Sequence, residues 1–480
     1  MKNKLTIYAI ITVTIFTLLT EASSCKKFLA IDPPINSISS DNVYQNDNTA
    51  ASVITGIYAT MMGSDFTGGG ITSTSLLMEL SSDNLVLFDI NKVNYLAYYR
   101  NQLDPADNNT KSFGNGDYWT NLYPRIYTIN AAIEGIGKSS SISNIKKRLL
   151  GETYFLRAFY YFYLVNLYGD IPIVLTTDYT KNASIERSSV DAVYKQIVAD
   201  LETSLGDMDD NYLDGTISKT TVDRLRPNLA TVQSLLARVE LYRKNYAVAE
   251  KYATAVIDKT TLYTLLPPDK VFLKNSMETI WALQPVKAGY NTDEAAVYLL
   301  TSAPGNGNKI FYASSPLMNS FENGDLRKRN WTGLFNTNLQ SYPFIAKYKA
   351  DVNSSSVTEY CIVFRIAEQY LIRAEARAAQ GNISGALDDL NAVRRRSGLS
   401  PIPSSTASTI TSQILQERRV ELFCEWGHRW FDLKRSGTID ATMQMAQTYK
   451  GGTWQPYQSL LPVPNVEMLL NKNLTQNTGY

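Results

Sequence analysis

Three pairs of amphipathic segments, two of them joined by short turns, with stretches rich in Gly, Asn, Ser and Tyr between the pairs, predict a mainly α-helical fold. Neither helix of such a pair can bury its apolar stripe alone, so the pairs must stack into a tetratricopeptide-like helical-hairpin scaffold, an α-α superhelix. The stretches between them become long loop-rich insertions with a few short strands. Composition agrees: 44% of the 480 residues are hydrophobic, and 31 Tyr, 16 Phe and 6 Trp provide ample core material.

Residues 1–24 read as an export leader. Lys2 and Lys4 precede an uncharged, mainly apolar run from Leu5 to Thr20, and Ala22, Ser23 and Ser24 form a small-residue cleavage site directly before Cys25. The run of 16 residues is shorter than the roughly 20 of a spanning helix. Cys25 in this setting resembles the acylated cysteine of a bacterial lipoprotein. Residues 25–48, with Pro33-Pro34 among many Ser, Asn and Asp, read as lipid anchor and tether, and 49–480 as one domain.

A first helix is expected over 49–62, where Ala50, Val53, Ile54, Ile57 and Tyr58 share a face, ended by Gly63 and Gly68-Gly69-Gly70. Trp119, Tyr123, Ile126, Tyr127 and Asn130 form the stripe of the next, whose partner over 152–168 stops at Gly169-Asp170-Ile171-Pro172. The clearest hairpin is 228–242 with 246–258, turning at Lys244-Asn245; Val232, Leu235, Leu236 and Val239 face Ala249, Tyr252, Ala253, Val256 and Ile257. The pattern returns over 367–379 and 383–396 about Gly381-Asn382, and a further helix spans about 410–425. The insertions are 64–112, 170–188 and 260–360; within the last, 279–285 and 360–365 read as strands.

Charge and histidine content remove whole function classes. Lys plus Arg number 46 against 45 for Asp plus Glu, so no global field draws nucleic acid. Loss of the leader removes two lysines and one glutamate and leaves 44 of each sign. The single histidine, His428, excludes His-rich metal sites and has no nucleophile beside it. Glu425, His428, Arg429 and Asp432 read as structural, ion pairs around a helix end while Trp426, Trp430 and Phe431 pack inward. Asp207, Asp209, Asn211 and Asp214 lack the Gly and terminal Glu of a calcium loop, and Gly63 with Gly68 lacks the Lys-Ser/Thr of a phosphate loop. Arg394-Arg395-Arg396 and Arg418-Arg419 read as solvated helix faces, paired with Asp388, Asp389, Glu417 and Glu421. After lipidation of Cys25, Cys361 and Cys424 could pair or stay buried as small apolar groups.

Several motifs then occur in a familiar order. They are Cys25-Lys26-Lys27-Phe28-Leu29 with Asp32-Pro33-Pro34, Trp119-x3-Tyr123-x2-Ile126-x3-Asn130, and Leu156-Arg157-Ala158-Phe159-Tyr160 through Leu167-Tyr168-Gly169-Asp170. In the C-terminal third come Arg365-Ile366-Ala367-Glu368, Leu390-Asn391-x-Val393-Arg394, Arg419-x-Glu421-Leu422-x2-Glu425-x-Gly427-x-Arg429-Trp430-Phe431-Asp432, and Pro462-x-Pro464 before the terminus. Over nearly its whole length the chain resembles the SusD/RagB family of outer-membrane nutrient-binding lipoproteins. The resemblance implies a lipid anchor on Cys25, surface exposure at the outer membrane, a SusC-like TonB-dependent transporter as partner, and capture of an oligosaccharide or peptide nutrient without cofactor or catalytic residue; some members of the family hold a metal ion, but no metal ligand is assigned in this sequence.

A neutral, hydroxylated ligand needs aromatic faces for its C–H groups and carboxylates, amides or guanidiniums for its hydroxyls. The insertions carry that mixture, and the ligand-binding candidates are Asp83, Asn84, Tyr98, Tyr290 and Tyr298, with Arg365 at the head of the last repeat; Tyr95, Tyr99, Asn101, Phe311 and Tyr312 lie beside them in sequence. Capture on a few rings predicts affinity of about micromolar or weaker. Two rivals stand: a glycoside hydrolase with paired carboxylates, and a tetratricopeptide-type scaffold that binds protein or peptide.

Overall fold

The computed structural model describes residues 43–106, 118–142, 145–287, 289–305, 307, 309–350 and 356–480. Cys25 and the tether up to residue 42 lie outside them. Among the described residues, thirteen helices are seven residues or longer: α1 (Asp47–Thr60), α2 (Thr74–Ser81), α3 (Val93–Tyr99), α4 (Tyr118–Lys138), α5 (Lys146–Tyr168), α6 (Val190–Asp207), α7 (Leu229–Tyr242), α8 (Tyr246–Ile257), α9 (Ile366–Ala379), α10 (Ile383–Arg396), α11 (Ile410–Leu422), α12 (His428–Arg435) and α13 (Ile439–Lys450). Six strands make three two-stranded antiparallel sheets: β1 (Leu85–Leu87) with β3 (Phe311–Ala313), β2 (Thr279–Leu283) with β6 (Cys361–Arg365), and β4 (Thr332–Asn336) with β5 (Ser341–Ile345).

Helix α5 is the central pillar. From Phe155 to Leu164 its residues are buried on every side, the pattern of a helix surrounded by others rather than of one lying on a surface. Phe159 alone meets Trp281, Trp426 and Phe364 with ring centroids 5.5, 5.8 and 6.1 Å away. The α7–α8 hairpin forms as expected, with Lys244 at φ 61° in its turn and Asn228 and Thr231 closing a capping box at the start of α7. Ala237, Ala249, Ala253 and Ala376 come together where this hairpin stacks on α9, because methyl groups allow the axes to approach closely. The strands expected over 279–285 and 360–365 are β2 and β6, paired with each other in the core.

The arginine runs depart from expectation. Arg394 and Arg418 are buried, and their pairs cross between elements: Arg394 with Glu322 and Glu417, Arg418 with Asp432. Arg396 reaches Glu278 and Glu421; only Arg395 of that run is exposed. Asp389 instead binds Arg373 and Arg377. Cys361 and Cys424 are buried free thiols.

The largest departure is Arg365. Its side chain is sequestered where β6 enters α9, and its guanidinium binds Glu278, Glu421 and Glu425 together. Lys347 joins through Glu425 at 2.5 Å, and Arg327 joins through Glu417 and Glu421. The rings of Phe272, Trp331 and Phe423 cover the cluster, with Lys347 only 3.9 Å from the Phe423 centroid. Arg365 is therefore a ligand-free core residue, since each of its donors already meets a carboxylate or a backbone carbonyl.

Candidate functional site

Helix α2 ends at Ser81, and the next residues are held from below. Lys450 reaches up from the end of α13 and donates to the carbonyls of Leu80 at 2.7 Å, Ser81 at 3.1 Å and Ser82, closing the C-terminus of α2 with a cation. Burial pushes the Lys450 ammonium down to about 7 against the opposing pull of Asp83 and Glu79. Asp83 then takes two guanidiniums: Arg429 donates through Nε at 2.7 Å and Nη2 at 3.0 Å, and Arg419 through Nη2 at 2.8 Å. Asn84 donates to Glu79 at 2.7 Å and accepts from Arg419. Gly427 lets Arg429 arrive there. It sits at φ 77° in front of α12, and a Cβ on it would fall 3.0 Å from the Phe431 ring and 3.1 Å from Met78.

Burial alone would raise the Asp83 carboxyl, but Arg429 and Arg419 outweigh it and hold it at about 2. In the unfolded chain the same group titrates near 4, so its stabilisation is complete above that pH and is lost as pH falls towards 2; the full effect is about 2–3 kcal/mol. Urea unfolding of the wild type and Asp83→Asn should show a gap in stability that is constant from pH 7 to 5 and shrinks from pH 4 to 2.5.

Asp83, Arg419 and Arg429 form the floor of a concavity of about 280 Å³, rimmed by Pro316, Met445 and Tyr449. Met445 is 73% exposed and Tyr449 40%. From this rim a band of rings leads to Phe88, with Tyr312 half-buried and Tyr99 and Tyr342 buried beneath the surface. Tyr449 lies within electrostatic reach of Tyr99, Tyr99 of Tyr312, and Tyr312 of Tyr342. The Tyr312 and Tyr342 rings are 5.5 Å apart, and Tyr342 is 5.8 Å from Phe88, which is 43% exposed. In the β4–β5 hairpin Tyr342 stands opposite Phe335, and Phe344 opposite Gly333, so pleating puts three rings on one face, beside Phe88 and Tyr312. The ring faces that reach solvent at Tyr449, Tyr312 and Phe88, beside a charged concavity, can stack against C–H surfaces and hydrogen-bond hydroxyl groups.

The structure separates the sequence candidates. Asp83 and Asn84 lie under this site as buried braces, and Asp83 reaches its surface only as floor. Tyr98 is buried in α3, one turn from Tyr95, which packs on Phe311 at 4.9 Å. Tyr298 is buried beside Cys424 and Glu294, and Arg365 is in the charge cluster. Tyr290 is partly exposed in another loop, under the Lys287 ammonium at 5.2 Å. Phe88, Phe335, Arg419, Arg429 and Tyr449 escaped the reading as residues that border the site. Alternation in Gly333-Leu334-Phe335 and Tyr342-Pro343-Phe344 was the available signal for the hairpin.

Two family models match this chain: the SusD family over residues 305–480, and a SusD-like family described as "Starch-binding associating with outer membrane" over 27–241. SusD-like protein P2 of Formosa agariphila is 26% identical, covering 93% of this chain and 95% of its own. In fold, the chain matches surface glycan-binding protein A of Bacteroides uniformis with a TM-score of 0.75 at 18% identity, covering 90% of this chain and 99% of that one. It matches a laminarin-binding SusD-like protein with a TM-score of 0.73 at 22% identity, covering 91% and 100%. A SusD model and a SusD-like model that lie in order along the chain, a relative matched almost end to end, and the same helical-repeat fold lead to one conclusion: the chain belongs to the SusD/RagB family.

Proposed function

We propose that this protein captures an oligosaccharide or polysaccharide at the outer membrane without cleaving it and passes it to a SusC-like TonB-dependent transporter. The observation that carries this reading is the polar concavity beside the exposed Tyr449, together with the exposed ring of Phe88 and the half-buried ring of Tyr312, which the buried Tyr342 links. Support for the ligand class comes from the family description and from relatives whose names state glycan or laminarin binding. Holding rather than cutting suits the one carboxylate that lines the concavity. At about 2, Asp83 is no proton donor near neutral pH, and its oxygens are occupied by guanidiniums. Anchoring through acylated Cys25, with the helical repeats against the barrel and the insertions toward the ligand, completes the reading.

The test uses the soluble domain starting after Pro34. Electrophoretic retardation in gels containing starch, laminarin, xylan or mannan should show binding to at least one of these polymers, and size-exclusion of that polymer after overnight incubation should show an unchanged length distribution. Shortened products would contradict capture without cleavage, and no retardation by any glycan would contradict the ligand class.

A further inference from the structure

A second cavity, of about 480 Å³, opens elsewhere on the molecule, and none of its lining residues belongs to the ring row or the Asp83 concavity. It lies between α1, the 213–226 loop and the end of β2. Its volume is within the roughly 300–1,000 Å³ of sites that enclose a small molecule.

Its floor is fixed in advance. Tyr58 donates its hydroxyl to Glu152 at 2.7 Å and stands edge-on to Trp281 at 6.1 Å. Arg226, 5.7 Å from the centre of the Tyr58 ring, donates to Glu152 at 2.5 Å, to Thr55 at 2.6 Å and to the Gly215 carbonyl at 3.0 Å. Neither side chain can fold into the space without breaking buried hydrogen bonds, so the hollow costs nothing to open when a ligand arrives. The walls are apolar, from Leu213, Leu225 and Leu283 to Val286, which is 53% exposed. At the rim stand Asp214 and Asp223 with the exposed amide of Gln284.

Charge selects the ligand. An anion would face Asp214 and Asp223, and little charge is left to hold a cation: Arg226 is neutralised by Glu152, Lys274 stands 4.0 Å from Asp223 outside the cavity, and one Asp214 oxygen already accepts from the Thr216 and Ser218 N–H groups. What remains is a neutral molecule with a C–H face for the tyrosine and leucines and hydroxyls for the carboxylates and amide. We infer that this cavity is a second carbohydrate site, enclosing one or two sugar rings of a chain end or short oligosaccharide while the ring row holds the chain along its length. The ligand class rests on the proposed capture of glycan; the location and the enclosed geometry do not.

The experiment observes saturation transfer by NMR from the soluble domain to maltose, laminaribiose, cellobiose, xylobiose and mannobiose at millimolar concentration, alongside gel retardation by the polymers. Ala59 lines the cavity from an exposed position on α1, so Ala59→Trp fills the space without touching the core; Val286→Trp fills it from the opposite wall. At least one disaccharide should give a signal that is lost in either filled variant and persists in Phe88→Ala/Tyr312→Ala, with Asp214→Asn weakening it at least tenfold. A signal that survives both filled variants, one that vanishes in the ring-row variant, or no disaccharide signal where a polymer is retarded would overturn the second site and leave glycan capture standing. Absence of both disaccharide and polymer binding would overturn the glycan reading, and the second site with it.

Discussion

Replacing Arg365 by Ala is expected to lower the unfolding free energy by about 3–5 kcal/mol, a large share of the roughly 5–15 kcal/mol that holds a folded domain. The guanidinium is the shared counter-ion of Glu278, Glu421 and Glu425, and truncating it leaves three buried carboxylates under Phe272 and Trp331 with only Arg396, Arg327 and Lys347 to balance them. Burial would raise the Glu421 carboxyl, yet Arg396, Arg365 and Arg327 together hold it well below the ordinary carboxylate range, so it keeps its charge in the core. Arg365→Lys retains one positive charge but loses the fork that binds two carboxylates at once, and should cost less than Ala. Chemical unfolding of both variants checks the order, and glycan affinity separates the two roles considered for this residue. At 1% exposure Arg365 meets no ligand, so Arg365→Lys should bind glycan within twofold of wild type while melting earlier. Normal stability with lost binding would return Arg365 to the ligand site.

The second large effect concerns binding. Removing Phe88 and Tyr312 together should weaken polysaccharide affinity by 10- to 100-fold, since each stacked ring contributes about 0.5–1.5 kcal/mol beyond its buried area, and about 1.4 kcal/mol is a factor of ten. Folding should change little. Phe88 is exposed at the end of β1 and Tyr312 is half-buried on β3, so neither truncation opens a hole in the main core. Calorimetric titration with the polymer that gels identify reads the loss directly. The same titration on Tyr290→Ala should be unchanged, because that ring lies in a different loop.

Helical hairpins were legible because i, i+3, i+4 spacing is a local property, and α7 with α8 or α9 with α10 needs only its own residues to declare itself. Helix α6 is harder to read: Ser189 caps it and Val193, Ile197 and Leu201 lie on one face, but its exposed, charge-rich turns resemble the preceding insertion. The site was less legible for a physical reason. Asp83 and Asn84 were found, but their partner Arg419 is 335–336 positions away and Arg429 is 346 positions from Asp83, so a brace and a ligand contact look alike in one dimension. Arg365 misled in the same way, its carboxylates lying 56, 60 and 87 positions distant. Rings present the opposite problem. The chain has 31 tyrosines, and only tertiary packing decides that Tyr98 and Tyr298 are core while Tyr312 and Tyr449 reach the surface.

A crystal structure with a bound oligosaccharide of six or more sugars, cut from the polymer that the protein retains, tests the central claim most directly. Sugar rings should lie over Phe88 and Tyr312 within van der Waals distance, with hydroxyls pointing toward the Asp83 concavity and every glycosidic bond intact. An oligosaccharide seated away from all of Phe88, Tyr312 and Tyr449, or found cleaved, would contradict it.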